Sequence, residues 1–416
     1  MKINVKTLMA LCLTLINPLI GLIASLISIK AGRKNVFVYC LISLFFVALF
    51  IKVPPMYDLN IRYWEIMSIK DNFFNIFISF QDFLLYIVSF YILDFGLPFY
   101  IIPSFFMGMM VYCYLRSINE FCFKYNNLIV SDKKFIFIIF LSILFINYIN
   151  VGIGIRFGSA MFLFIYGLIN NLNKYHKKSY ILFVLAVTMH FSMVIPVIAL
   201  VFSKLVKIKK WYAISIAIII MLFSEFIGLD FIKNINIFGV GEHSVIYIDG
   251  TWSQTADNIN SRIPEIINRI FFIILFLFMF LSKDKFSTFD NYCYTLLILT
   301  SMFYSSHTIF GRYLAVLLHL IMIRQLYALL VNRENYYFKD IGKSLKYFIL
   351  IFVLYTFLIS NIFLNRRVYQ LGEMWEVLYI PIQIQIIKHS QSDFENYFQY
   401  LDQDGYWIQS GQQKTK

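Results

Sequence analysis

Charge is scarce in this chain. Of its 416 residues, 14% are Asp, Glu, Lys or Arg and 60% are apolar, against about 25% charged in an ordinary soluble domain. A soluble globular protein is excluded on that balance. Cysteine is also sparse. The five cysteines (Cys12, Cys40, Cys113, Cys122 and Cys293) lie in or beside apolar runs with no paired loop spacing, which argues against a disulfide framework or a zinc site. The sequence has no P-loop, no GxGxxG after a strand, no HExxH and no GxSxG. Chemistry driven by ATP or a dinucleotide is therefore not expected, and no cofactor or metal is implied. There is no visible internal repeat, and no linker sets off a second globular domain.

What the chain does have is a succession of apolar runs. A helix crosses the ~30 Å hydrocarbon core with about 20 residues. On that length the candidate spans are 8–29, 35–53, 98–115, 135–151, 157–173, 211–229, 264–282, 291–308, 312–330 and 346–364. The first follows Lys2 and Lys6 in a signal-like layout, but its run is too long for a signal peptide and further spans follow, so it reads as a first transmembrane helix. Two more runs are awkward. The run 74–93 carries Asn75, Gln81 and Asp82 and reads as interfacial or re-entrant, and 180–203 contains His190 and Pro196. The expectation is an all-α, polytopic integral membrane protein with about 10–12 transmembrane helices, some of them re-entrant. A single integral domain spans 1–364, and 365–416 forms a polar or amphipathic C-terminal tail.

The net charge of +13 is distributed in clusters between apolar runs: Lys30 to Lys34, Lys133-Lys134, Lys174 to Lys178, Lys204 to Lys210 and Lys339 to Lys346. That is the pattern of cytoplasmic loops rather than of a nucleic-acid binder. If 180–203 crossed once, the loops 174–178 and 204–210 would fall on opposite faces. A break around His190 to Pro196 returns both to the cytoplasm, and a single proline-kinked crossing is the alternative. The consistent topology puts both termini outside, together with 54–73, 152–156, 230–262 and the tail from Asn365.

A few polar residues remain at or within the expected membrane: Asp58, Asn60 and Arg62, then Arg156, then His190 with Ser192, then His307 with Arg312. A basic group at mid-bilayer costs roughly 2.5–3.5 kcal/mol on insertion scales. Arg156 is either a snorkelling anchor or a clamp on phosphate, which its planar fork suits. His190 is either an interhelical hydrogen-bonding group or a base near neutral pH. His307 and Arg312 are about a turn apart, with Gly311 a candidate helix break between them. Asp402-Gln403-Asp404 has the form of a metal-binding DxD, but in a polar tail it reads as solvated surface.

At these residues the chain resembles the EpsG-type branch of the Wzy-like polysaccharide polymerases of bacterial envelopes. The resemblance rests on Asp58 and Tyr63 after the second run, Ile155-Arg156 with Ala160, the short basic loop, Ala186-x-x-x-His190-x-Ser192, and Gly311-Arg312-Tyr313. Phe157 stands where the family commonly has Gln. The resemblance implies a multi-pass protein of the bacterial cytoplasmic membrane. It would transfer a growing glycan on undecaprenyl diphosphate to a new lipid-linked repeat unit at the outer face. Implied partners are that lipid-linked oligosaccharide, membrane lipid, a chain-length regulator and a flippase. On this reading His190 and Asp58 are catalytic, while Arg156, Arg312, His307, Arg62 and Ser192 bind substrate. A flippase or exporter of the same lipid-linked sugar, and an envelope ligase or acyltransferase, are the competing classes.

Overall fold

The computed structural model describes residues 5–69, 83–224, 259–282, 287–331 and 341–408. The protein is all-α, with no β-strand among the described residues. By length and composition, four helices among them suffice to cross a membrane: Ile101–Tyr125, Ile155–Leu172, Thr308–Val331 and Gly342–Phe363. Other apolar helices are shorter, because several of the long runs are interrupted. The chain divides into two compact units, one of Met1–Phe191 with Leu350–Lys416 and the other of Ser192–Ile349.

In the first unit, the run 8–29 is not one crossing. Asn17 caps a new helix, its side chain accepting the Ile20 N–H, and Pro18 occupies the first helical turn, where its missing N–H costs nothing. Helices Val5–Ile16 and Pro18–Ile27 therefore fold back on each other. Gly21 permits the close approach, since a Cβ there would run into the Thr14 backbone. The Ser28 hydroxyl donates to the Lys6 carbonyl at 3.3 Å. Twelve residues rise only about 18 Å as a helix. This hairpin corrects the expected topology, because the start of the chain returns to the end that carries Lys30.

That end of the unit is tied together by polar contacts. Lys30 Nζ lies 2.8 Å from Asp132, Arg116 donates to the Lys34 carbonyl, Tyr39 donates to Asn119 at 2.9 Å, and Lys178 meets the Tyr166 hydroxyl. The basic loops around 30–34, 133–134 and 174–178 thus share one end. From it, helices Val36–Phe50, Asp132–Phe145 and His176–Met189 run toward the opposite end, and Ile101–Glu120 and Ile155–Leu172 run back.

At the opposite end the C-terminal segment packs down as structure rather than as a solvated tail. Lys52 Nζ lies 2.6 Å from Glu376, Asn17 donates to the Leu378 carbonyl at 3.0 Å, and the Tyr100 ring meets His389 with centroids 4.8 Å apart. The two termini of the described chain therefore lie at opposite ends of this unit.

The second unit is held by the helix Ser287–Ser301. Asn291 donates to the Ser203 and Val206 carbonyls at 2.6 and 2.8 Å and accepts the Ile208 N–H at 2.8 Å, which pins the basic loop 204–210. Asp290 accepts from the buried Arg324 Nε at 3.0 Å. The helix His307–Val331 runs unbroken through Gly311, so the break expected there does not occur. The loop 230–258, most of the expected outer loop 230–262, lies outside the described residues, as do 70–73 of the expected outer segment 54–73 and 74–82 of the awkward run 74–93.

Candidate functional site

The helix Asp58–Ser68 starts at the end of the first unit away from the basic loops. Asp58, Arg62 and Glu65 stand four and three residues apart, so they share one helical face. Arg62 Nε and Nη2 donate to Asp58 Oδ1 at 3.2 and 3.1 Å. Its Nη1 meets Glu65 and donates to the Tyr86 hydroxyl at 3.0 Å. Tyr86 in turn donates to Glu65. Arg62 is buried, its side chain 8% exposed, whereas Asp58 is 31% exposed. Burial works against the Arg62 cation, and Asp58, Tyr86 and Glu65 more than offset it, so its pKa is raised.

Tyr86 belongs to the helix Phe83–Asp94, which packs on both Asp58–Ser68 and His176–Met189. Both Arg62 and Arg156 are close enough to act electrostatically on its hydroxyl. This is what brings Arg156, the second residue of Ile155–Leu172, into the same neighbourhood. The turn before Arg156 is held from a π-helical stretch, Thr356–Phe363. Buried Asn361 donates to the Ile146 carbonyl at 2.8 Å, and Asn365 to Asn150 Oδ1 at 3.3 Å.

His190 ends the helix His176–Met189 in extended backbone, φ −157° and ψ 116°, with its N–H on the Ala186 carbonyl. A 3-10 turn, Phe191–Met193, follows before Val194–Leu205. The run 180–203 is thus broken at His190, within the stretch His190 to Pro196 where one of the two readings put a break. His190 is 9% exposed, and its imidazole lies edge-on to Phe157, next in sequence to Arg156, with ring centroids 5.7 Å apart.

Four of the expected site residues, Asp58, Arg62, Arg156 and His190, therefore lie at one end of the first unit. Ser192, in the turn after His190, and His307 and Arg312, in the first two turns of His307–Val331, belong to the second unit. Glu65 and Tyr86 are additions. Glu65 was legible as the third acidic or basic group on the Asp58 face. Nothing in the spacing marked Tyr86.

The residue before Asp58 is strained. Tyr57 has φ 53° and ψ −127°, a region that costs a non-glycine residue about 1–3 kcal/mol and persists only when its surroundings enforce it. Asp402, from the DxD-like tripeptide, is a turn residue: its Oδ1 accepts the N–H groups of Asp404 at 3.0 Å and Tyr406 at 2.8 Å. No cluster of metal-ligating side chains occurs among the described residues.

The arrangement is suited to anion chemistry. Arg62 and Arg156 both act electrostatically on the Tyr86 phenol, with a half-buried carboxylate and an imidazole at the same end. Comparison with known proteins gives a single assignment. No curated protein and no solved structure matches the chain. The EpsG family model matches residues 37–372, more than half of the chain and inclusive of all seven expected site residues. The chain belongs to the EpsG family, and is a membrane protein of polysaccharide biosynthesis.

Proposed function

We propose that this chain is a polymerase of a bacterial surface polysaccharide. It transfers a growing glycan from undecaprenyl diphosphate to the non-reducing end of a new lipid-linked repeat unit. The observation that carries the reading is that Asp58, Arg62, Arg156 and His190 lie together at the end away from the basic loops, with Phe157, next to Arg156, edge-on to His190. Basic loops mark the cytoplasmic face, so this end meets the outer leaflet of the cytoplasmic membrane.

In the transfer, the bond between the anomeric carbon and the diphosphate oxygen breaks as the acceptor hydroxyl bonds to that carbon. Negative charge builds on the leaving diphosphate. The planar fork of Arg156 takes two of its oxygens at once and stabilises it without a metal ion, while Arg62, bonded to Asp58, Glu65 and Tyr86, fixes the carboxylate face beside it. The proton of the acceptor hydroxyl passes to His190 or to Asp58, the carboxylate of this pair being the more exposed.

The test is deletion of the chain in its host followed by gel analysis of the surface polysaccharide. Single repeat units in place of long chains support a polymerase. Loss of the single units from the outer face as well, with lipid-linked units retained inside, points to a flippase instead. Long polymer that stays on its carrier, with none passed to a final acceptor, points to a ligase.

A further inference from the structure

The start of the Asp58–Ser68 helix is held from a part of the chain that lies beyond the residues matched by the family model, which end at 372. The contacts come from 390–406. The Tyr57 N–H donates to the Gly405 carbonyl at 3.1 Å, and Asn60 Nδ2 donates to the Gln403 carbonyl at 3.0 Å. The Tyr63 hydroxyl donates to Glu395 Oε1 at 2.9 Å. Glu395 is itself fixed by Gln391 Nε2 at 2.8 Å, whose Oε1 accepts the Phe99 N–H at 2.8 Å. The rings add to the grip: Tyr57 on Tyr406 at 5.1 Å, and Tyr63 on Phe398 at 4.7 Å.

Two features point to more than packing. Tyr57 is the strained residue, and it immediately precedes Asp58. Gly405, at φ 76°, approaches so closely that a Cβ would lie 2.6 Å from Tyr57 N and 2.9 Å from Asn60 Cβ. Strain of this kind relaxes unless neighbours hold it, and Gly405 and Tyr406, which bond and stack on Tyr57, both belong to this segment.

We propose that Ser390–Tyr406 is a positioning clamp that holds Tyr57 in its strained conformation and so sets Asp58 and Arg62 for the transfer reaction. Glu395 and Gly405 are positioning residues, acting through the helix they grip. The proposal rests on the polymerase reading for its effect on turnover, but not for the clamping itself.

The test uses the full-length purified protein, with undecaprenyl-diphosphate-linked repeat unit isolated from a host strain deleted for this chain. Gly405→Ala is expected to speed amide exchange at Tyr57 to Arg62 by about tenfold or more. It should lower kcat by about tenfold, with KM for the lipid-linked unit changed less than about twofold, as for misplacement of a reacting group without loss of binding. Glu395→Ala should act in the same direction. Glu395→Gln, which still accepts from Tyr63, should restore most of the turnover.

Unchanged exchange in Gly405→Ala and Glu395→Ala overturns the clamp. Faster exchange with unchanged kcat overturns its role in positioning. A wild-type protein that does not polymerise the probe overturns the polymerase reading, and the exchange comparison still decides the clamp. If Gly405→Ala does not accumulate in the membrane, the Glu395 pair decides alone.

Discussion

The Phe157 ring stands edge-on to the His190 imidazole, with planes at 87° and centroids 5.7 Å apart. One contact thereby joins the first turn of the Arg156 helix to His190, where the next helix, His176–Met189, stops. An aromatic pair of this geometry contributes about 0.5–1.5 kcal/mol beyond its buried area. Phe157→Ala is expected to leave protein level in the membrane near normal and to lower polymer yield by about tenfold, the cost of a loosely held imidazole. Unchanged yield would make Phe157 mere packing.

His190 itself gives a sharper outcome. With His190 as the proposed base toward the acceptor hydroxyl, His190→Ala is expected to lower turnover on the order of 10²–10⁴ while the fold survives. Glutamine keeps a donor and an acceptor but cannot take the proton at neutral pH. Near-normal turnover in His190→Gln, assayed on purified lipid-linked repeat units at matched protein amounts, would transfer the role to Asp58.

The two arginines are expected to fail differently from lysines placed there. Arg156→Lys and Arg62→Lys keep the charge but lose the planar fork. Each should abolish most long-chain polymer at normal expression. Arg62→Lys should also weaken the unit itself, because Arg62 bonds Asp58, Glu65 and Tyr86 together and a single ammonium cannot reproduce the fixed fork that reaches all three. A lower midpoint of thermal unfolding in Arg62→Lys than in Arg156→Lys is the measurable difference. Full polymer length in Arg156→Lys would reduce that residue to an anchor.

The N-terminal hairpin predicts topology. Cysteines placed at Lys6 and Ala31, in a background lacking the exposed Cys12 and Cys40, should both be protected from an impermeant thiol reagent in intact cells. A cysteine at Asp404 should label. Labelling at Lys6 but not at Ala31 would restore a single crossing over 8–29.

Docking of the C-terminal segment should depend on pH through His389. Burial, and then the Lys52 charge, lower its pKa to about 4 from 6.5, while Asp393 and Glu376 pull upward. Below pH 6.5 the unfolded chain binds a proton that the folded one refuses until about pH 4. This contribution to stability is therefore complete above 6.5 and is lost as pH falls toward 4. The unfolding midpoint should drop more steeply across that window in the wild type than in His389→Phe, which keeps a ring against Tyr100. Parallel slopes would remove His389 as the source.

The division between what the residues dictated and what packing decided follows from range. All-helical character, membrane residence and the break at His190 were legible because they depend on local hydropathy and on the cost of a lone polar group in an apolar run. The hairpin at Asn17-Pro18 was legible too in principle, since an N-cap followed by proline is a local signal, yet the length of the run masked it. The Asp58, Arg62 and Glu65 face follows from helical spacing alone. The Arg62 to Tyr86 bond, the Phe157 to His190 contact and the grip of Glu395 and Gly405 on the Asp58 helix were decided only by the tertiary structure. They join residues dozens to hundreds of positions apart, where no periodicity links the partners and only the packing of helix ends brings them together.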